Sequence, residues 1–219
     1  MKILITAGTT HEHIDPVRFI SNASSGLQGI CIAKISILRG YEVVLIIGPN
    51  SFGEDLKSFK NQSDYDNKLT IINIVSAEEM YNAAMEHFPS CDVAICSAAV
   101  GDYRVKEIAT DKIKRTGDSL TIELIPNKDI AKELGAIKTN KQLLIGFALE
   151  TSNGIENAKA KILKKNLDYV VLNETSAENP AFGSDTNIVN IINKDGSMKQ
   201  YGKLSKIEIA REILASFGH

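Results

Sequence analysis

Apolar residues in this chain come in short, nearly unbroken runs separated by longer stretches of mixed character. Lys2 to Thr6, Tyr41 to Ile47, Leu69 to Val75, Asp92 to Cys96, Gln142 to Leu149 and Asp168 to Leu172 are rich in Ile, Val and Leu and alternate little. Such runs suit strands buried on both faces of a parallel sheet. Helical spacing recurs between them. Leu27, Ile30, Cys31, Lys34, Ile35 and Leu38 mark a helix ending near Arg39. Ser76 with Glu79 three positions on has the capping-box pattern and predicts a helix to His87. Pro126-Asn127 reads as the opening of a short helix to Leu134, and Gly154 to Asn166 and Ser205 to Phe217 as two longer ones. Alternating strands and helices predict an α/β fold: a Rossmann-like, doubly wound, mostly parallel sheet. Two segments depart from that rhythm. Ser119 to Ile125 alternates and predicts an extra strand. Asn187 to Ile192 and Lys199 to Gly202 flank Lys194-Asp195-Gly196, a turn signal that predicts an added β hairpin.

The first connection is unusually long. After Ala7-Gly8 no helix begins until about Ser25, and the intervening loop carries His11, Glu12, His13, Asp15, Arg18 and Asn22. Long ordered loops are usually functional, and ligands bind at the carboxyl edge of open α/β sheets. Ser24 and Ser25 are candidate helix caps, while Gly26 and Gly29 let a ligand or a strand come close to the backbone. Two readings stay open: a capped helix packed on the sheet, or an anion site at its N-terminus. After the fourth run, Ser97 to Gly101 is small and leaves room for a ligand. Residues 103–118 then lose apolar periodicity and carry Lys112-Ile113-Lys114-Arg115, either a solvated arm or a phosphate-closing lid. Residues 50–68 read as a polar surface excursion, and Leu172 to Thr186 includes an irregular polar loop.

Composition narrows the field without choosing a function. Hydrophobic residues make up 43% and charged residues 24% of the 219, and the net charge of −2 gives no basic field for nucleic acid. No run reaches membrane-spanning length and no signal peptide precedes the first strand, so the cytoplasm is the expected location. Cys31, Cys91 and Cys96 form no C-x-x-C pair; Cys31 and Cys96 read as buried small hydrophobes, and no disulfide framework is expected.

Candidate chemistry is mostly a matter of exclusion at this level. A dinucleotide reductase requires G-x-G-x-x-G after the first strand, but only Gly8 stands there. The second strand ends in Gly48-Pro49 rather than an acidic residue, and Tyr103 and Lys106 lack Tyr-x-x-x-Lys spacing. No Walker-type loop is present. His11-Glu12-His13 is a weak metal candidate, since structural zinc uses four ligands. Lys161 and Lys165 share a helix face at i,i+4 spacing, a pattern that equally fits an ordinary solvated face.

Several motifs, in order along the whole chain, resemble phosphopantothenoylcysteine synthetase. They are Thr6-Ala7-Gly8-Thr9-Thr10, then Ile14-Asp15-Pro16-Val17-Arg18-Phe19-Ile20-Ser21-Asn22-Ala23-Ser24-Ser25-Gly26, and Ala98-Ala99-Val100-Gly101-Asp102-Tyr103-Arg104. Lys112-Ile113-Lys114, Asn127-Lys128-Asp129-Ile130, Gly146-Phe147-Ala148-Leu149-Glu150-Thr151, Lys161 to Asn166 and Phe182-Gly183-Ser184-Asp185 follow. The resemblance implies one domain over residues 1–219 with a lid at about 103–118. It implies a ligase that joins 4′-phosphopantothenate to L-cysteine through an acyl nucleotide. Bacterial members use CTP and eukaryotic members ATP, both with magnesium; Lys112 favours CTP. Ala98, Asp102, Lys112, Asn127, Asp129, Ile130, Phe147, Lys161 and Lys165 should hold the nucleotide. Arg18, Asn22, Ser25, Gly26 and Ala99 should hold the phosphopantothenate, with Asn22 and Lys112 in catalysis. No metal site on the protein is expected, because the nucleotide carries Mg2+, and a homodimer is implied. One departure is Gly8-Thr9-Thr10-His11 where many bacterial members read Gly-Gly-Thr-Arg; His11 or His13 is the candidate substitute for the arginine. Met1 opens directly on the first strand, which predicts a stand-alone ligase without a flavin. The alternative is an NAD(P)- or nucleotide-binding protein of the same fold.

Overall fold

A computed structural model describes residues 1–49, 67–115, 117, 119–174 and 185–218. The expected excursion over 50–68 and the polar loop before Thr186 fall largely outside these residues. The apolar runs become the strands β1 (Lys2–Ala7), β4 (Glu42–Ile47), β5 (Leu69–Asn73), β6 (Val93–Cys96), β9 (Leu143–Glu150) and β10 (Tyr169–Glu174). They pair in parallel in the order β10-β9-β6-β1-β4-β5. β11 (Thr186–Asn193) and β12 (Met198–Ser205) extend the same sheet as an antiparallel hairpin beside β10. Its turn is fixed by Gly196 at φ 87° and by Ser197 N–H donating to Asp195 Oδ1 at 2.7 Å.

Helices cover both faces, which is why the strands need no alternation. Ile3, Ile5 and Ala7 pack with α1 (Leu27–Leu38) and α5 (Lys206–Ala215) on one side. Leu4 faces the opposite way, toward α2 (Ala77–His87), α3 (Ile130–Ile137) and α4 (Gly154–Lys165). Ser76 and Glu79 make the capping box read from the sequence, and Ser205 and Glu208 make a second one at α5. The strand order reverses between β1 and β6, so the loops after these two strands diverge and leave a crevice at the carboxyl edge.

Local expectations differ in five places. The cap of α1 is Gly26 at φ 81° rather than Ser24 or Ser25, because the chain enters the helix through a left-handed residue that only glycine adopts cheaply. The long first loop contains a small hairpin, β2 (Glu12–His13) with β3 (Phe19–Ile20). The expected strand over Ser119–Ile125 shrinks to β8 (Leu124–Pro126), paired with β7 (Tyr103–Val105). Its alternating apolar residues have no core to face: Leu120 is 56% exposed. Pro126 therefore ends a strand, and the helix begins three residues later with Asp129 accepting from Lys132 N–H at 3.2 Å. The third strand stops at Asn73 instead of Val75, whose N–H goes to Glu79 Oε2 at 2.6 Å.

Close backbone packing holds the edge of the crevice. An atom added as Cβ to Gly48 would lie 1.7 Å from the Thr9 carbonyl oxygen, and one on Gly29 would lie 2.5 Å from Ala7 Cβ. Gly146, expected to admit a ligand or a backbone, lines the carboxyl-edge cleft and also accommodates the Leu167 side chain, 2.8 Å from its would-be Cβ.

Candidate active site

A cleft of about 550 Å³ opens at the crevice between the β1 and β6 ends. Thr9 ties together the segments that line it. It bridges to Ala99, and its hydroxyl lies 2.9 Å from Ser21 Oγ and donates to the Asn22 carbonyl at 3.1 Å. Asn22 Nδ2 donates to the carbonyls of Ala99 (3.1 Å) and Val100 (3.0 Å), so the long loop is tied across the mouth of the crevice. Ser25 and Gly26 bring the N-terminus of α1 into the same wall. Gly29 keeps that helix close to β1 and to Ser97, whose hydroxyl donates to Thr6 O at 2.7 Å.

The opposite wall comes from α3, α4 and the loop before them. Asn127 Nδ2 donates to Gly101 O at 2.8 Å and its N–H to Asp102 O at 2.8 Å, which fixes the Asp102 turn against the start of α3. Lys165 pairs with Asp129 at 2.9 Å and Lys161 with Glu150 at 2.5 Å. The two lysines thus share a face and line the cleft, each anchored by a carboxylate rather than simply solvated. Partial burial opposes the Glu150 charge, but hydrogen bonds from Lys161 and Asn157 outweigh it and hold its pKa below the ordinary value. Phe147, Ala98 and Ile130 supply apolar lining, and half-buried Cys96 lies beneath them with burial pushing its thiol up to about 12. That thiol is not poised as a nucleophile at neutral pH.

Of the expected site residues, Asn22, Ser25, Gly26, Ala98, Ala99, Asp102, Asn127, Asp129, Ile130, Phe147, Lys161 and Lys165 line this one cleft. Arg18 and Lys112 do not. Arg18 forks onto Asp15 through Nε and Nη2, and its Nη2 also donates to Ile113 O at 2.9 Å. Asp15 is fully buried and accepts from Ile113 N–H at 3.2 Å as well. The Arg18 guanidinium, with backbone donors from Val17, Ile113 and Arg18, holds the Asp15 carboxyl well below the usual carboxylate range. The arm carrying Lys112 is therefore docked on the first loop, with Lys112 exposed beside Ile113.

His11 and His13 both pack on Phe19, His11 stacked at 3.7 Å and His13 edge-on at 5.8 Å, while Glu12 turns inward to accept from Ala77 N–H at 3.0 Å. Neither His11 nor His13 lines the cleft of this chain. Sequence reading also missed Gln28, Asn173, Asn187 and Lys206, which line the cleft on the α1 and α5 side. Lys206 looks like an ordinary first-turn residue, and Asn187 sits in a strand. Only the packing of the hairpin beside β10 brings them to the site.

The DNA/pantothenate metabolism flavoprotein C-terminal domain family matches residues 1–218. The chain belongs to that family. Its sequence is 42% identical over 213 residues to a protein of an unknown prokaryotic organism called Cysteine/Cysteine sulfinic acid decarboxylase, covering 97% of this chain and 56% of that one. It is 41% identical over 214 residues to the coenzyme A biosynthesis bifunctional protein CoaBC of Haemophilus influenzae, covering 98% of this chain and 50% of that one. The chain thus spans about half the length of these curated relatives. The crystal structure of a CoaBC C-terminal domain matches with a TM-score of 0.79 at 40% identity, over 98% of this chain and 92% of the other. A Cab2 mutant solved in complex with phosphopantothenate-cysteine shares the fold, with a TM-score of 0.75 at 19% identity over 98% of this chain and 85% of that one. Membership in this flavoprotein C-terminal domain family bears out the resemblance read from the motifs along the chain.

Proposed function

We propose that the chain is a phosphopantothenate–cysteine ligase that uses CTP. The observation that carries this reading is the single cleft. It gathers Asn22, Ala99, Asp102, Asn127, Phe147, Lys161 and Lys165 from separate segments at the strand-order reversal. The coenzyme A biosynthesis relative and the Cab2 complex support the substrate assignment.

In the first half-reaction a phosphopantothenate carboxylate oxygen attacks the α-phosphorus of CTP, and pyrophosphate leaves with the bonding electron pair. Two anions must meet, so cations carry the step. Lys161 and Lys165 hold the nucleotide from one wall. Lys112 reaches the triphosphate when the arm leaves its dock on Asp15 and Arg18. In the second half-reaction the cysteine amine attacks the acyl carbon, a C–N bond forms, and CMP leaves as the acyl C–O bond breaks; the amine proton passes to solvent. Asn22 holds the acyl group through its carboxamide. Magnesium enters on the triphosphate. Among the described residues no group of three His, Cys, Asp or Glu could hold a metal, and Asp102, one of the carboxylates that line the cleft, would meet the waters of an ion carried by the nucleotide.

We also infer a homodimer. Val17, Phe19 and Ile20 on one small hairpin and Tyr103 and Leu124 on the other are exposed apolar residues. A surface of that kind suits a second copy, which would bring Arg18 to its partner's cleft.

The test is pyrophosphate release from the purified chain with Mg2+ and 4′-phosphopantothenate, CTP against ATP, with and without cysteine. CTP-dependent release that turns over with cysteine is expected. ATP-only release would move the nucleotide assignment. Release with neither, alongside a thermal shift with NADPH, would replace the ligase by a dinucleotide-binding protein.

A further inference from the structure

The two walls of the cleft differ in one respect that the nucleotide and phosphopantothenate assignments do not use. Lys161 and Lys165 each have a carboxylate partner, whereas Lys206 has none within ion-pair distance among the described residues. Lys206 is only 7% exposed, and its backbone N–H donates to Asp185 O at 3.0 Å. Burial lowers the Lys206 pKa, an effect that Asp185, beyond ion-pair distance, only partly offsets. Beside it in the lining stands Asn187, also 7% exposed, whose buried Oδ1 has no hydrogen-bond partner among the described residues. Its neighbour on the same face, Val189, packs in the α1 and α5 core, which sets the carboxamide on the Lys206 side of the sheet. The nearby N-terminus of α1 begins at Gly26 with no side-chain cap. A buried carboxamide oxygen left unpaired costs about 1–3 kcal/mol, and a buried ammonium without a counter-ion costs more.

From this juxtaposition we infer that Lys206 and Asn187 form the subsite for the acceptor amino acid, binding L-cysteine through its carboxylate and its amine. The inference rests on the ligase reading above and extends it to the second substrate. The carboxylate neutralises Lys206, and the amine is the donor that Asn187 Oδ1 lacks. Other cleft ligands match only half of this pair. A phosphate satisfies the ammonium but turns its oxygens toward another acceptor. A nucleobase or the pantothenate amide can meet the carboxamide but leaves the buried ammonium without an anion. The placement also suits the chemistry, because the subsite lies across the cleft from Lys161 and Lys165 and on the same side as the α1 N-terminus that follows Asn22.

The experiment compares wild type with Lys206→Met, Lys206→Arg and Asn187→Asp. Single-turnover acyl-cytidylate formation is followed without cysteine, then the cysteine dependence of its consumption. Lys206→Met is expected to raise the KM for cysteine at least tenfold while the KM for CTP stays within twofold, and Lys206→Arg to recover most of the loss. Asn187→Asp, which sets a carboxylate against the substrate's own, is expected to match Lys206→Met. A loss confined to acyl-cytidylate formation would assign Lys206 to the triphosphate and overturn the proposal, as would an unchanged cysteine KM in both variants. If wild type forms no pyrophosphate the ligase reading fails on its own. Equilibrium dialysis with radiolabelled L-cysteine then decides the subsite: retention by wild type and loss in Lys206→Met supports it, and equal retention overturns it.

Discussion

The two ends of the central sheet treat buried charge in opposite ways. At the amino end, Asp168 is 2% exposed and receives Lys138 at 2.6 Å, Lys194 at 2.7 Å and the Leu144 N–H at 2.8 Å. Gln142 nearby accepts from Thr139 and donates to the carbonyls of Phe88 and Cys91. At the carboxyl end, Lys206 and Asn187 are each 7% exposed, and among the described residues Lys206 has no ion-pair partner and Asn187 Oδ1 no hydrogen-bond donor. The same strand connects the two, since β10 begins beside Asp168 and ends at the cleft with Asn173. A polar cluster that closes on itself stabilises the sheet, whereas one left open is shaped for something the chain does not contain.

The sharpest way to break this comparison is to damage each end separately. Asn22→Ala at the carboxyl end is expected to slow the overall reaction by about 10²–10³-fold, the range for losing one oriented donor, with little change in melting temperature. Acyl-cytidylate trapped by mass spectrometry would show that the second half-reaction is the one impaired; normal turnover would remove Asn22 from the mechanism.

Asp168→Asn at the amino end is expected to do the reverse. It leaves the buried Lys138 ammonium uncompensated and should cost about 3 kcal/mol, read by urea denaturation, with KM values for all substrates unchanged. Desolvation raises the Asp168 pKa, but the hydrogen bonds from Lys138, Lys194 and Leu144 together win and leave it below the unfolded 3.8. A depressed folded pKa gives stability that is complete above the unfolded value and is lost as pH falls through the folded one. The difference between wild type and variant should therefore be full at pH 6 and shrink below pH 4.

Lys194→Ala makes the smallest change. Its side chain is 62% exposed, so solvent screens the pair, and Lys138 still neutralises Asp168. A loss of about 0.5 kcal/mol is expected from the same denaturation curves. A loss as large as that of Asp168→Asn would mean that the cluster behaves as a three-membered unit rather than one buried pair with an outer lysine.

Sequence reading reached the frame because its signals are local. The runs of β1 and β4, the capping box at Ser76 and the Asp195-Gly196 turn each announce themselves within a few residues. The motifs reached most of the cleft lining, although not how it is held together: the partner of Lys165 is Asp129, and the partner of Lys161 is Glu150. Where local pattern misled, a tertiary fact decided. Ser119 to Glu123 alternates like a strand but has no core to bury its apolar side. Asp15 looked like one polar loop residue among several, and its burial under Arg18 and Ile113 depends on an arm nearly a hundred residues away. Lys206 and Asn187 carry no motif, since their meaning comes only from being brought beside the α1 N-terminus.

Gly48 has a bearing on how mutational data for this protein would be read. With the Thr9 carbonyl oxygen 1.7 Å from where its Cβ would stand, even alanine forces the first loop off the end of β4. That loop carries Asn22, so a saturation library scored by growth would rank Gly48 with the residues that handle substrate, though it does not line the cleft. Intolerance to substitution at this position records the shape of a backbone crossing, and a map of essential positions here needs solvent and ligand contact beside it before it is taken as a map of chemistry.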